Sequence, residues 1–207
     1  VNTEALHPLK MTDAAYLSGQ RWCRQQEELA ELITATKNRV QAWERCFWPG
    51  LEEVVGDLFA PWLRRWREVW YDPWRLQEAT LAELAAFLTE AGAAAEQVAS
   101  LASGLQQVAQ RAVALFGTPQ GGPSPHADYQ AIQDQVLREL RLLALYEQEH
   151  QAVQRTVQAL YRQVHPSRAL ETIKGVGDGG APVFVFFVAE VERFANQKAF
   201  RGWSGLV

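Results

Sequence analysis

Apolar residues recur along this chain at steps of three and four, the period of a helix with one buried face. From Thr12 to Phe47 the stripe runs through Trp22, Leu29, Ile33, Val40, Trp43 and Phe47, with Gln26 and Thr36 in two polar slots. It predicts one long heptad-like helix, capped by Thr12 or Asp13 and ended at Pro49-Gly50. A second stripe predicts a helix from Asp128 to Val164: Ile132, Val136, Leu140, Leu143, Tyr146, His150, Val153, Val157, Leu160 and Val164, closed by Pro166. Between them, Leu51 to Leu88 reads as short helices broken at Pro61 and Pro73. Thr80 and Glu83 form a capping box for a helix Leu81–Glu90 that Gly92 stops. Ala93 to Phe116 reads as an alanine-rich helix, and residues 117–125 as a loop.

These elements predict an all-α protein. The economical arrangement is a long antiparallel helical stalk of residues 14–48 and 127–165, with a small helical insert, 49–126, at its tip. The same stripes would serve a homodimer as well as an intrachain pair. Residues 166–207 stand apart, with four glycines in a short run and then a strongly apolar stretch.

Composition narrows the classes. Of 207 residues 48% are hydrophobic and 21% charged, enough for a real core, and the net charge is −4. The molecule is therefore no polycation, and any nucleic-acid contact must be local. Cys23 and Cys46 on one helix would lie roughly 34 Å apart at about 1.5 Å per residue, against the about 7 Å that a disulfide spans. Free thiols in a reducing compartment are expected, and no structural zinc site. No secretory pattern opens the chain, and the longest apolar run, Val183 to Ala189, falls far short of the roughly 20 residues of a membrane span. The expectation is a cytoplasmic protein. The chain begins without Met and stops at Gly205-Leu206-Val207 in mid-pattern, as a fragment would.

The chemistry-bearing stretch is Leu170 to Ala181, LETIKGVGDGGA. It fits a helix-hairpin-helix: a short helix, Gly175-Val176-Gly177, then a second helix. The two glycines permit a tight turn and a close approach of phosphate to backbone, and N–H groups at the next helix start face that phosphate. Candidate DNA-binding residues are Lys174, Gly175, Val176, Gly177, Asp178, Gly179, Gly180 and Ala181, with Val176 between the helices and Ala181 at their crossing. Such a contact positions a duplex without reading its sequence. A structural turn or a degenerate nucleotide loop stands beside this reading. Residues 182–188, PVFVFFV, are also strand-like by propensity, which would give βαβ.

A resemblance bears on the choice. The Gly-Val-Gly turn, Ala181, Ala189-Glu190, Arg193-Phe194, Lys198 and Gly205-Leu206 stand in the order and spacing of the C-terminal domain of DEDD-type insertion-sequence transposases, also called bridge recombinases. More weakly, Lys37-Asn38-Arg39 through Phe47-Trp48-Pro49-Gly50-Leu51 resembles that family's helix ending in a Phe-x-Pro turn, and Leu81 to Leu88 its next helix. Thr12-Asp13-Ala14 resembles the tail of its nuclease domain, so residues 1–13 would be a remnant of that domain and 166–207 a truncated C-terminal one. The resemblance implies DNA transposition and recombination, DNA as partner, a guide RNA and a divalent metal such as Mg in the intact enzyme. Of four acidic ligands only Asp13 matches, and one carboxylate cannot hold a two-metal centre. Ser204 precedes Gly205-Leu206 and does not match the family's nucleophile. The expectation is a DNA-binding part of a transposase, inactive alone and without a cofactor of its own. The rival is a structural helical interaction protein from a decayed gene, with no DNA binding.

Trp62, Trp66, Trp70 and Trp74 alternate with Arg64, Arg65, Arg67 and Arg75, a pattern that binds single-stranded nucleic acid by stacking and charge. The preferred reading is a core stripe of a small helical domain, with the arginines on its solvated face. His150 lies on the apolar stripe without a second ligand one turn away, which fits a buried or partner-facing histidine.

Overall fold

A computed structural model describes residues 13–118, 122, 127–167, 169–172, 174, 176–189, 195–196 and 198–199. Every regular element among them is helical, and no β-strand forms. The protein is all-α as the periodicity predicts.

Asp13 starts the first helix. Its carboxylate accepts the Ala15 N–H at 3.0 Å, satisfying one of the donors that a helix start leaves free. Helix α1 then runs Ala14–Phe47. Pro49 and a left-handed Gly50, φ 87°, turn the chain into α2, Leu51–Val55. Pro61 and Pro73 do more than interrupt. Each sits in the first turn of its helix, α3 Pro61–Val69 and α4 Pro73–Glu78, where its missing N–H costs nothing. The Asp72 side chain caps α4. Helix α5, Leu81–Ala91, carries the full capping box: the Glu83 N–H donates to Thr80 Oγ1 at 3.2 Å and the Thr80 N–H to the Glu83 carboxylate at 2.8 Å. Gly92, φ 92°, closes it. Replacing Thr80 with alanine is expected to cost about 1 kcal/mol, read as a lower denaturation midpoint with an unchanged m-value. Helices α6, Val98–Phe116, and α7, Tyr129–Val164, complete the long elements. A short 3-10 turn, Ala169–Thr172, precedes α8, Gly177–Val188.

The chain divides into two units, Leu32–Tyr146 and the paired segments Val1–Glu31 with Glu147–Val207, and each long helix gives one part of its length to each. In Leu32–Tyr146, α6 lies at the centre, burying Leu101, Ala102, Leu105, Val108, Ala109 and Ala112 against α2, α4 and α5. Gly104 admits the Val54 side chain, which a Cβ at that position would overlap. The α1 and α7 portions of this unit run antiparallel: the Tyr129 hydroxyl donates to the Phe47 carbonyl at 2.7 Å, and Arg39 reaches Glu139 at 2.9 Å. Thr36, a predicted polar slot, is fully buried. Its hydroxyl donates to the Leu32 carbonyl and accepts from Arg39, so no polar atom is stranded.

The tryptophan stripe belongs to this core. Trp62 and Trp66 are buried, and Trp70 and Trp74 pack partly against them. Trp66 meets Trp48 edge-on at 5.0 Å. The expected arginine surface needs correction at Arg67. That side chain is 1% exposed and grips the equally buried Glu44 through two bonds, 2.6 and 2.9 Å, while also donating to the Leu58 carbonyl. The others are engaged locally: Arg64 with Glu68, Arg65 with Glu90, and Arg75 over the Trp70 ring with a bond to the Val69 carbonyl. Arg67 stands one turn after Leu63, which is also fully buried, and so shares that residue's inward face.

Candidate nucleic-acid interface

The glycine-rich turn lies in the unit made of Val1–Glu31 and Glu147–Val207. Its core is small: Cys23 from α1, Val153, Val157 and Tyr161 from α7, and Ala181, Val185 and Phe186 from α8. Leu170 of the 3-10 turn and Val176 pack partly against this core and anchor both sides of the connection. The turn spans the four residues Ala169–Thr172, and the Thr172 hydroxyl donates to the Ala169 carbonyl at 2.7 Å. The first arm is therefore one 3-10 turn rather than an α-helix, since such short pieces take the tighter winding.

Lys174, between that turn and Val176, is exposed. Val176 is half-buried and packs against the small core. Gly177 opens α8 with φ 54°, a left-handed conformation that favours glycine. Gly179 and Gly180 are exposed, and Ala181 is completely buried where α8 meets the core. Among the described residues, a Cβ on Gly177 or Gly179 would meet nothing within 4 Å. Val176 offers α8 no side-chain cap. The Gly180 N–H bonds to the Val176 carbonyl at 3.1 Å, closing the first turn of α8. The backbone of Asp178 lies in this first turn. Gly175, Glu190, Arg193, Phe194, Ser204, Gly205 and Leu206 fall outside the described residues.

Residues 183–188, the strand-like run, are the second half of α8. Tertiary packing overrides their β propensity: Val185 and Phe186, a helical neighbour pair with Ala181, all reach the same core. This removes the βαβ alternative for the described residues.

The remaining sequence candidates carry no metal chemistry. Asp13 is exposed and occupied as the cap of α1. Among the described residues no three His, Cys, Asp or Glu side chains converge on a point that could hold an ion. They therefore do not fit the divalent metal that the resemblance implies. Cys23 and Cys46 are both free, and burial pushes the Cys23 thiol up to about 11. At neutral pH Cys23 is a packed, unreactive thiol. His150 is half-buried beside Cys23, Gln26, Glu27, Val183 and Phe187 around a cavity of about 300 Å³. No described helix is long and apolar enough to cross a membrane.

One feature escaped the periodicity argument. Gly19 of α1 lies directly on the Phe186 ring, and the Gln20 amide donates to the Phe186 carbonyl at 2.9 Å. An isolated glycine within a helical pattern was the only advance signal.

No curated protein and no solved structure matches the chain. Residues 167–207, the segment holding the turn and α8, match the family described as Transposase IS116/IS110/IS902 family, and the match supports a transposase of that family.

Proposed function

We propose that this chain is the DNA-binding part of a transposase, and that it holds a duplex by a phosphate seated on the start of α8. The observation that carries the reading is the open glycine face. The amides of Gly177, Asp178 and Gly179 have no side-chain cap, no Cβ shields Gly177 or Gly179, and exposed Lys174 stands beside them. A helix start carries roughly half a positive charge, and its orphan N–H groups suit a phosphate oxygen. Lys174 adds a mobile full charge. The arrangement has the order of a helix-hairpin-helix, with a 3-10 turn as its first arm. The finer assignment to the DEDD, bridge-recombinase type rests on the resemblance over Ala189, Lys198 and their neighbours. The reading gives this chain the DNA contact.

A mobility-shift titration with duplex DNA at low salt tests it, because phosphate contacts are strongest there. The variant joining Lys174→Glu to Gly177→Asp is the informative one. Aspartate tolerates a left-handed backbone, so it places a negative charge on the turn without forcing a new fold. Affinity is expected to fall by more than about tenfold, about 1.4 kcal/mol. Equal binding by the variant and the parent chain would reject the phosphate site.

A further inference from the structure

Gly19 is the sixth residue of a 34-residue helix, a place where glycine costs about 1 kcal/mol against alanine. Packing explains its presence: a Cβ at that position would overlap the Phe186 ring. The Phe186 ring of α8 therefore packs directly on the α1 backbone there. The contact is fixed in register as well as depth. Gln20 donates to the Phe186 carbonyl at 2.9 Å, and one turn further the Arg24 guanidinium lies 5.8 Å from the centre of the Phe187 ring. Cys23, between them, is buried in the same core.

Helix α8 depends on its packing against α1, α7 and the 3-10 turn. It spans 12 residues and carries Pro182 inside, which offers no N–H to the carbonyl one turn back. Helices below about 12–15 residues are marginal alone in water. Its orientation is set by the surfaces it packs against, and α1 is the surface that touches its backbone.

We infer that Gly19 and Gln20 are positioning residues for the phosphate contact: through Phe186 they set the rotation and depth of α8, and so the direction of the amides from Gly177 to Gly179. This rests on the DNA-binding reading above. Both residues lie outside the matched segment 167–207. The DNA contact is accordingly composite, with one segment supplying the donors and a distant one aiming them.

The test uses the full chain and duplex DNA across a salt series, with helix content and thermal unfolding measured on the same samples. Gly19→Ala inserts the methyl group that Phe186 excludes. Gln20→Leu removes the bond to the Phe186 carbonyl without adding bulk, and keeps the test alive where Gly19→Ala does not fold. Folded variants are expected to bind about tenfold more weakly, and the slope of log affinity against log salt to flatten by about 0.9, the loss of one phosphate contact. A purely structural role would lower the folded fraction and leave that slope alone. Wild-type affinity and slope in folded Gly19→Ala or Gln20→Leu would overturn the inference, as would a loss that follows the unfolded fraction with the slope unchanged. If these variants bind normally while Lys174→Glu with Gly177→Asp does not, only the positioning role fails. A parent chain that ignores duplex DNA overturns both readings.

Discussion

Replacing Arg67 with methionine is expected to destabilise the unit Leu32–Tyr146 by about 3–5 kcal/mol, measured by denaturant unfolding. The side chain lost is not a surface cation. Arg67 and Glu44 are each 1% exposed, joined at 2.6 and 2.9 Å, and surrounded by Trp48, Trp66 and Tyr71. Methionine fills much of the volume but leaves a carboxylate in the core without its countercharge. The double replacement Glu44→Leu with Arg67→Met removes both charges and is expected to recover most of the loss, since a well-packed apolar pair often matches a buried ion pair. A large penalty that persists in the double variant would mean that the shape of Arg67, not its charge, is what the core requires.

The same pair predicts a pH dependence. Burial raises the Glu44 carboxyl above its ordinary value of 4.5, and the hydrogen bond and charge of Arg67 pull against that rise without cancelling it. Without Arg67 only the upward push remains. A carboxyl whose folded pKa exceeds its unfolded one stabilises the fold below the unfolded pKa, and this contribution is lost as pH rises through the folded pKa. The Arg67→Met variant should therefore gain stability as pH falls through the raised pKa of Glu44, above the ordinary carboxylate range. Glu83 has the opposite sign. Bonds from the Thr80 backbone, then from its hydroxyl, hold its carboxyl below 4.5, so its contribution is lost only on further acidification. The two effects occupy different pH windows.

Glu44 and Arg67 also mark where reading the sequence stops. Helix boundaries were legible because their causes are local. The Thr80–Glu83 box spans one turn, Gly92 ends the helix it opened, and the α7 stripe from Ile132 to Val157 buries most of the residues that its period selects. Glu44 and Arg67 are 23 positions apart, on helices whose relative placement no local rule sets. Four arginines lie among the tryptophans with the same local chemistry, and only the fold decides which of them turns inward. The glycine turn was legible as a helix start: exposed Lys174 and exposed glycines at the opening of α8. What aims that helix was not, because Gly19 and Phe186 meet only after the chain has folded back.

Trp66→Ala is the second variant with a large expected effect, and it separates the two meanings of the tryptophan–arginine stretch. Trp66 is fully buried, with its ring centre 5.0 Å from that of Trp48 and 5.9 Å from that of Tyr71. Truncating a buried tryptophan removes its transfer energy and leaves a cavity, together about 3–5 kcal/mol. The Trp48 emission should move to the red as its packing partner disappears, and the denaturation midpoint should fall. Arg64→Ala with Arg65→Ala should cost under about 1 kcal/mol, because both ion pairs are solvent-exposed. A stacking surface for single strands would give the reverse pattern. Trp66→Ala would then reduce capture of single-stranded DNA at little cost in stability, and the arginine pair would reduce it further. The core reading expects unchanged capture by the arginine variant and a folding defect in the tryptophan one, because a ring enclosed on every side has no face left to offer a base.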